Sequence, residues 1–584
     1  MKLTYTLEIH EPQTGFCQIT MNVENVSEDI TMITMPAWTP GSYLIRDFSA
    51  NVRLLKARTQ DNETIEIQRK DKSTWKIMNG DCRTFTITYE VYAGSLSVRE
   101  SHIDSTHAYV NGASVFMYLE GYKDQSVELI IKPYEGWKIS TGMEKSGENR
   151  YRATNYDIFI DSPIEIGTHR SFFFTVEGKE HEIAIYGTGN ENADRIVDDT
   201  KKIVDAYREM MGGLPYKRYL FIFHLLNGTG GGLEHHNSTT IEFEKFDFAD
   251  PNRYKLFLSI VSHEFFHIWN VKRIRPAELG PFNYKEETHT TLLWVSEGIT
   301  EFYGNLMLLR AGIYSKEDYF KHLSEIIKIY ERTPGTKYES ASDSSFDAWI
   351  KLYKFSPNLI NSYVSYYLKG EILGMMLNSR ICEYTKGARN LDELFKHMME
   401  KYNRDGKGFT EKDLLAALTD ISGLDFVPFF NRYVRGTEIM DFLSELKKIG
   451  LSLEKKYSAD LGTDQPAYMG LGFNTNGNPG NVMFVLENSP AQKAGIYPGD
   501  EVVAIENFKF GPNFMRKLTD RSSNIMVENL VGYKPGQKVT VHVFRRGILM
   551  TFAFLLGLAP HDAYSIKEME AGDTTALREK FLMG

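Results

Sequence analysis

The segment His263-Glu264-Phe265-Phe266-His267 sets two imidazoles four positions apart, with a carboxylate beside the first. On an α-helix that spacing puts both rings on one face, one turn apart, where they can share a metal ion. Glu264 projects about 100° further round the helix, near such an ion without having to bind it, and can take a proton from a water held there. Two helix-surface histidines with an ordinary glutamate would give the same pattern. The two phenylalanines inside it favour a half-buried helix instead, which is where a metal site would sit.

A catalytic zinc takes three protein ligands and leaves a fourth position open for water. Cys17, Cys82 and Cys382 are widely spaced and form no CxxC pair, so the ligands must be histidines and carboxylates. Glu297, in Trp294-Val295-Ser296-Glu297-Gly298-Ile299, is the candidate for the third. Its neighbours are apolar and helix-forming, and an unpaired carboxylate would be costly to bury among them. Glu301, one turn later on the same face, is expected to support the ligands or touch the substrate. A second constellation is Gly230-Gly231-Gly232-Leu233-Glu234-His235-His236-Asn237, lying between two predicted strands. Its glycines let a backbone approach a ligand closely, and a following edge strand can pair with an extended peptide. A glycine-rich turn carrying solvated polar residues is the alternative.

At 584 residues the chain exceeds one hydrophobic core, and three or four domains are expected. Hydrophobic residues at 42% and charged residues at 25% are those of a folded globular protein. The net charge of −10 is spread along the chain with no basic, aromatic-interleaved cluster, which excludes nucleic acid as an expected partner. No run of about 18 apolar residues occurs and no signal-peptide pattern follows Met1, so we expect no membrane span and a cytoplasmic location. Alternating runs such as Thr84 to Tyr89 predict an antiparallel β domain over residues 1–170. The catalytic part is expected over 171–450. It is strand-rich to about 248 and then helical, with Asp250 capping and Pro251 opening a helix that runs through 260–270. Strands return over 460–558, and residues 559–584 read as a charged tail.

The pentad followed by Trp294-Val295-Ser296-Glu297-Gly298 resembles the thermolysin-like zinc peptidases whose third ligand is a glutamate on the next helix. More closely, the chain resembles the glycyl aminopeptidase family, through His263-Glu264-Phe265-Phe266-His267-Ile268-Trp269-Asn270-Val271-Lys272-Arg273-Ile274-Arg275-Pro276 and the loop Trp38-Thr39-Pro40-Gly41-Ser42-Tyr43. Gly470-Leu471-Gly472-Phe473 with Ser489 to Asp500 resembles a PDZ domain. The fold class so implied is α+β and multidomain: an N-terminal antiparallel β domain, a thermolysin-like catalytic domain with a mainly helical second half, and a C-terminal PDZ domain.

The resemblance implies one zinc ion on His263, His267 and Glu297, and Glu264 as base. Glu234 would contact the substrate's free α-amino group, with Gly231, Gly232 and Leu233 beside it. Ser365-Tyr366-Tyr367-Leu368-Lys369-Gly370 is similar to the segment that carries an oxyanion-binding tyrosine. Tyr367 is selected and Tyr366 stands second. His235 replaces an asparagine of the related motif, and 29 residues separate His267 from Glu297, more than in related aminopeptidases, so the loop 271–290 is expected near the site. The implied activity is removal of small N-terminal residues, glycine or alanine, from peptides with a free N-terminus. A peptide C-terminus would be the partner of the PDZ domain. An endopeptidase with the same metal site, and a PDZ scaffold with a vestigial site, are the alternatives.

Overall fold

The computed structural model describes the chain except residues 355, 404–405, 458–464, 475–479, 512–514, 517–518, 521–524, 531 and 571–573. It divides into two compact units, the first Met1–Thr290 with Tyr303–Ser315 and Asp392–Ala417, the second Thr291–Phe302 with Lys316–Leu391 and Leu418–Gly584. Among the described residues no helix is long and apolar enough to cross a membrane.

In Phe16–Glu24 and Thr84–Tyr92 every second side chain is buried, as alternation requires of strands with one wet face. These strands lie within an eight-stranded sheet. Its order is Glu144–Gly147, Arg150–Ala153, Val127–Lys132, Lys2–Glu8, Phe16–Glu24, Thr84–Tyr92, Val52–Thr59, Thr64–Ile65. Contrary to the antiparallel expectation, Lys2–Glu8 runs parallel to Val127–Lys132, with Leu3 opposite Val127. Alternation within a strand carries no information about the direction of a neighbour so distant in sequence.

A five-stranded sheet follows, ordered Arg170–Val176, Lys179–Tyr186, Arg218–Leu226, Ser238–Glu244, Gly230–Glu234. The three middle strands are parallel and the outer two antiparallel to their neighbours. Gly230–Glu234, read from sequence as a link between strands, is itself the terminal strand, with Gly232 opposite Ile241 and Glu234 opposite Thr239. Glycine weakens the strand pattern, and pairing with Ser238–Glu244 imposes the extended form.

Asp250 caps the helix Pro251–Phe266 as expected, its Oδ1 accepting from the N–H groups of Asn252 and Arg253 at 2.8 and 3.2 Å. The helix stops at Phe266, short of the predicted end. His267 keeps right-handed helical backbone at the C-cap, so the spacing of the two histidines survives.

In the second unit, Trp294–Gly298 forms a π-turn that continues into the helix Ile299–Arg310. It crosses the helix Tyr366–Tyr384 at two glycines. A methyl group at Gly370 would lie 2.5 Å from the Trp294 carbonyl oxygen, and one at Gly298 would lie 2.7 Å from that of Tyr366. Further on, strands Ala467–Asn474, Val482–Val485, Glu501–Ile505, Lys538–Arg545 and Ile548–Leu555 with the short helix Pro490–Ala494 enclose a core that includes Leu471, Phe473 and Val541. Ala467–Asn474 is paired on both edges, by Val482–Val485 and by Ile525–Leu530. The predicted tail is corrected. Ala563–Glu568 pairs with Leu451–Lys456, and the helix Thr575–Met583 buries Phe581 and Leu582. Of its apolar residues Phe581 and Leu582 are the buried ones, too few for a sequence pattern but enough for a docked helix.

Because two backbones meet at Gly370, we expect Gly370→Ala to cost about 1–3 kcal/mol by overpacking. Urea unfolding should show it, while an alanine at Gly121, where a Cβ would have no atom within 4 Å, should cost no more than the strain of its φ of +84°.

Candidate metal centre

The helix Pro251–Phe266 delivers His263 and His267 to one point. His267 Nδ1 lies 2.7 Å from the Asn270 carbonyl oxygen. A carbonyl only accepts, so Nδ1 carries the proton and Nε2 is left with a lone pair. That Nε2 lies 3.0 Å from Nε2 of His263, with both rings buried. Two ring nitrogens converging from adjacent turns, one of them fixed as a lone pair, fit a divalent transition metal. Gly304 keeps the room open, since a Cβ there would be 3.3 Å from Cα of His263.

Glu264 is buried with its carboxylate against the backbone of Gly232, where any side chain would collide with it. Ligand atoms of Glu234, Glu264 and His267 all lie within 4.8 Å of one another. The terminal strand therefore brings its last residue to the same point as the histidine helix. Leu233 is buried beneath it, and Gly231 has a φ of +143°, a region that favours glycine.

The charge of Glu234 is balanced by residues that the sequence did not single out. Lys272 Nζ lies 3.6 Å from Glu234 Oε1 and 3.0 Å from Asp161 Oδ1. Asp161 also accepts from His235 Nδ1 at 3.0 Å and from the His236 N–H at 2.9 Å. Burial alone would raise the Asp161 carboxyl, but the Lys272 ammonium and the His235 hydrogen bond bring it down to about 2. Burial likewise opposes the Lys272 charge, yet Asp161 and Glu234 raise its pKa above the ordinary value. His236 is pushed down to about 4 by burial and by the adjacent Arg273. The sequence held one signal for Lys272, its place in the segment following the pentad. It held none for Asp161, which lies in the N-terminal half.

The loop Trp38 to Tyr43 reaches the same place. Trp38 is buried, donates from Nε1 to the Asn283 carbonyl at 2.9 Å, and packs on Phe282 and Tyr284. A Cβ on Gly41 would sit 2.6 Å from Glu234 Oε2. Loop 271–290 is thus tied down at one end by Lys272 and at the other by Trp38.

In the second unit Glu297 is 2% exposed within the π-turn, a distortion found disproportionately at functional sites. Glu301 is half-buried and close enough to His322 to act on it. Burial opposes the His322 charge, but Glu371, 2.6 Å away, and then Glu301 raise its pKa. Tyr366 is fully buried and Tyr367 only partly, their rings stacked at 4.8 Å.

A family description for the peptidase M61 N-terminal domain matches residues 4–168, and one for the M61 glycyl aminopeptidase matches residues 256–373. Among solved structures, an aminopeptidase N family protein from Idiomarina loihiensis is 26% identical, with 99% of this chain and 100% of that chain covered and a TM-score of 0.90. An M1 zinc metallopeptidase variant from Deinococcus radiodurans is 9% identical over 75% of this chain and 94% of that one, with a TM-score of 0.47. A probable periplasmic serine endoprotease DegP-like from Hahella chejuensis is 29% identical over 137 residues, 23% of this chain, so the chain spans only 27% of that curated relative.

Removing the Lys272 ammonium would leave buried carboxylates uncompensated. We expect Lys272→Met to lose about 3–5 kcal/mol in urea unfolding, with part recovered in Asp161→Asn/Lys272→Met. Below about pH 4 the unfolded chain binds the Asp161 proton before the folded one does, so the stability advantage of the parent over Asp161→Asn should shrink as pH falls from 5 to 3.

Proposed function

The chain belongs to the M61 glycyl aminopeptidase family, and from that membership we propose that it is a zinc-dependent aminopeptidase that removes small N-terminal residues, glycine or alanine, from peptides. The observation that carries the reading is the meeting of the two histidine Nε2 atoms, the Glu264 carboxylate and the end of a terminal strand at one buried point.

His263, His267 and Glu297 would hold the metal, all three being buried and of the donor types zinc prefers. A zinc ion bound there would polarise the scissile carbonyl and make the attacking water more acidic. Glu264, fixed against Gly232, takes the proton from that water and returns it to the leaving amine. Tyr367 donates its O–H to the oxygen on which charge develops, and its partial exposure favours it over the enclosed Tyr366.

Glu234 receives the substrate ammonium. Its Oε1 is buried and engaged by Lys272 through an ion pair as long as 3.6 Å, which leaves a shorter charge-assisted bond to be made. A charge-assisted bond to an ammonium is stronger than one between neutral groups, and a blocked or internal peptide cannot make it. The backbone of Gly231, Gly232 and Leu233 lines an extended substrate, as an exposed strand edge can. Gly41, pressed on the Glu234 carboxylate, restricts the space around the first residue, in keeping with glycine or alanine there. Glu301, one turn beyond Glu297 in the same helical run, supports the ligand segment. We read residues 460–558 as a PDZ domain, in which a peptide C-terminus could add to strand Ala467–Asn474 only by displacing one of its paired neighbours, Val482–Val485 or Ile525–Leu530.

Matched glycyl and N-acetylglycyl peptides test the assignment, the blocked peptide being expected to react at least about 100-fold more slowly. Equal rates would mean an endopeptidase. Glu264→Gln should lower kcat by about 10²- to 10⁴-fold with zinc retained, whereas Glu297→Ala should lose the metal, and full zinc content in that variant would remove Glu297 from the ligand set.

A further inference from the structure

Another cluster of side chains of the types that ligate metals lies in the hairpin formed by His102–Ile103 and His107–Val110. The connecting turn is held by Asp104, whose Oδ1 accepts from the Thr106 N–H at 2.7 Å and from the His107 N–H at 3.2 Å. Its other oxygen, Oδ2, lies 3.1 Å from His102 Nε2. One ligand atom from each of His102, Asp104 and His107 falls within 4.8 Å of the other two.

What distinguishes this cluster from an ordinary polar turn is the state of His107. Its side chain is fully buried, and Nδ1 lies 2.9 Å from Glu165 Oε1. Glu165 is shared by two imidazoles, its Oε2 lying 2.9 Å from His224 Nε2, and a carboxylate so placed accepts from both rings. His107 Nδ1 must therefore carry the proton. Nε2 is buried without a hydrogen-bond partner, and in the neutral ring it is the nitrogen that offers a lone pair. A carboxylate that fixes one imidazole nitrogen so that the other presents a lone pair is the arrangement that supports histidine metal ligands.

His107, Glu165 and His224 are also close enough to share an ion. Binding there would force the proton onto His107 Nε2 and His224 Nδ1, both buried with no acceptor. An orphaned buried donor is costly, so Glu165 works better as the orienting base behind His107 than as a ligand. We propose that His102, Asp104 and His107 form a second metal site, for a zinc-like divalent ion with two imidazoles, one carboxylate and water. His102 and Asp104 are partly exposed and give the ion its way in.

The site would brace the catalytic sheet. Tyr109, in the same hairpin, donates to Thr240 Oγ1 at 3.0 Å, and Glu165 joins His107 to His224, whose Nε2 is 2.9 Å from its Oε2. Thr240 and His224 belong to neighbouring strands of the five-stranded sheet.

Zinc alone is the probe, read as metal per chain after equilibration with micromolar zinc, and by calorimetry. In His263→Ala/His267→Ala one zinc should remain, and His102→Ala or Asp104→Asn added to that background should remove it. In the parent, either substitution should lower the content by one equivalent whatever the histidine helix holds, with peptidase turnover retained. That one-equivalent loss also serves if the double variant fails to fold. Zinc content that His102→Ala and Asp104→Asn leave unchanged overturns the proposal, and so does a folded double variant that binds no zinc. Neither result touches the aminopeptidase reading, which rests on other residues.

Discussion

A carboxylate taken out of water needs a partner, and the end of the five-stranded sheet buries two within a few ångströms, Glu234 and Glu264. Much of the surrounding architecture answers that demand. Lys272 is drawn in from the loop after the histidine helix, Asp161 holds Lys272 in place, and His235 and His236 in turn bind Asp161. Segments far apart in sequence are thereby fixed to one point by electrostatics, with Trp38 and Tyr284 supplying the apolar clamp.

What could be read from the sequence was what depends on local periodicity. The pentad placed its histidines because a helix repeats every 3.6 residues, and the Asp250 cap and the alternating strands followed from equally local rules. The misses lie where long-range contact decides. Gly230–Glu234 is a strand because a neighbour pairs with it, and Val127–Lys132 is parallel to a strand more than a hundred residues away. Lys272 and Asp161 are ordinary charges until folding brings them together. The π-turn at Trp294–Gly298 gives no pattern at all, since it differs from an α-helix by one residue.

Glycines mark where the packing is tightest. Gly232 admits the Glu264 carboxylate, Gly41 admits Glu234, and the Gly298–Gly370 crossing lets the Glu297 segment lie against the tyrosine helix. Each is a place where a missing side chain sets the position of a buried carboxylate, so local geometry is fixed by backbone contact rather than by adjustable side-chain packing.

The docked helix Thr575–Met583 bears on the order in which the second unit matures. Asn378, in the tyrosine helix, donates from Nδ2 to the carbonyl of Phe581, 203 positions later, and Phe302 packs on the same phenylalanine. Closing so long a loop costs chain entropy before any contact repays it. During synthesis the helices around Tyr366–Tyr384 must therefore wait, with apolar surface uncovered, until residue 581 has cleared the ribosome, so the packing of this unit closes long after its own helices have been made.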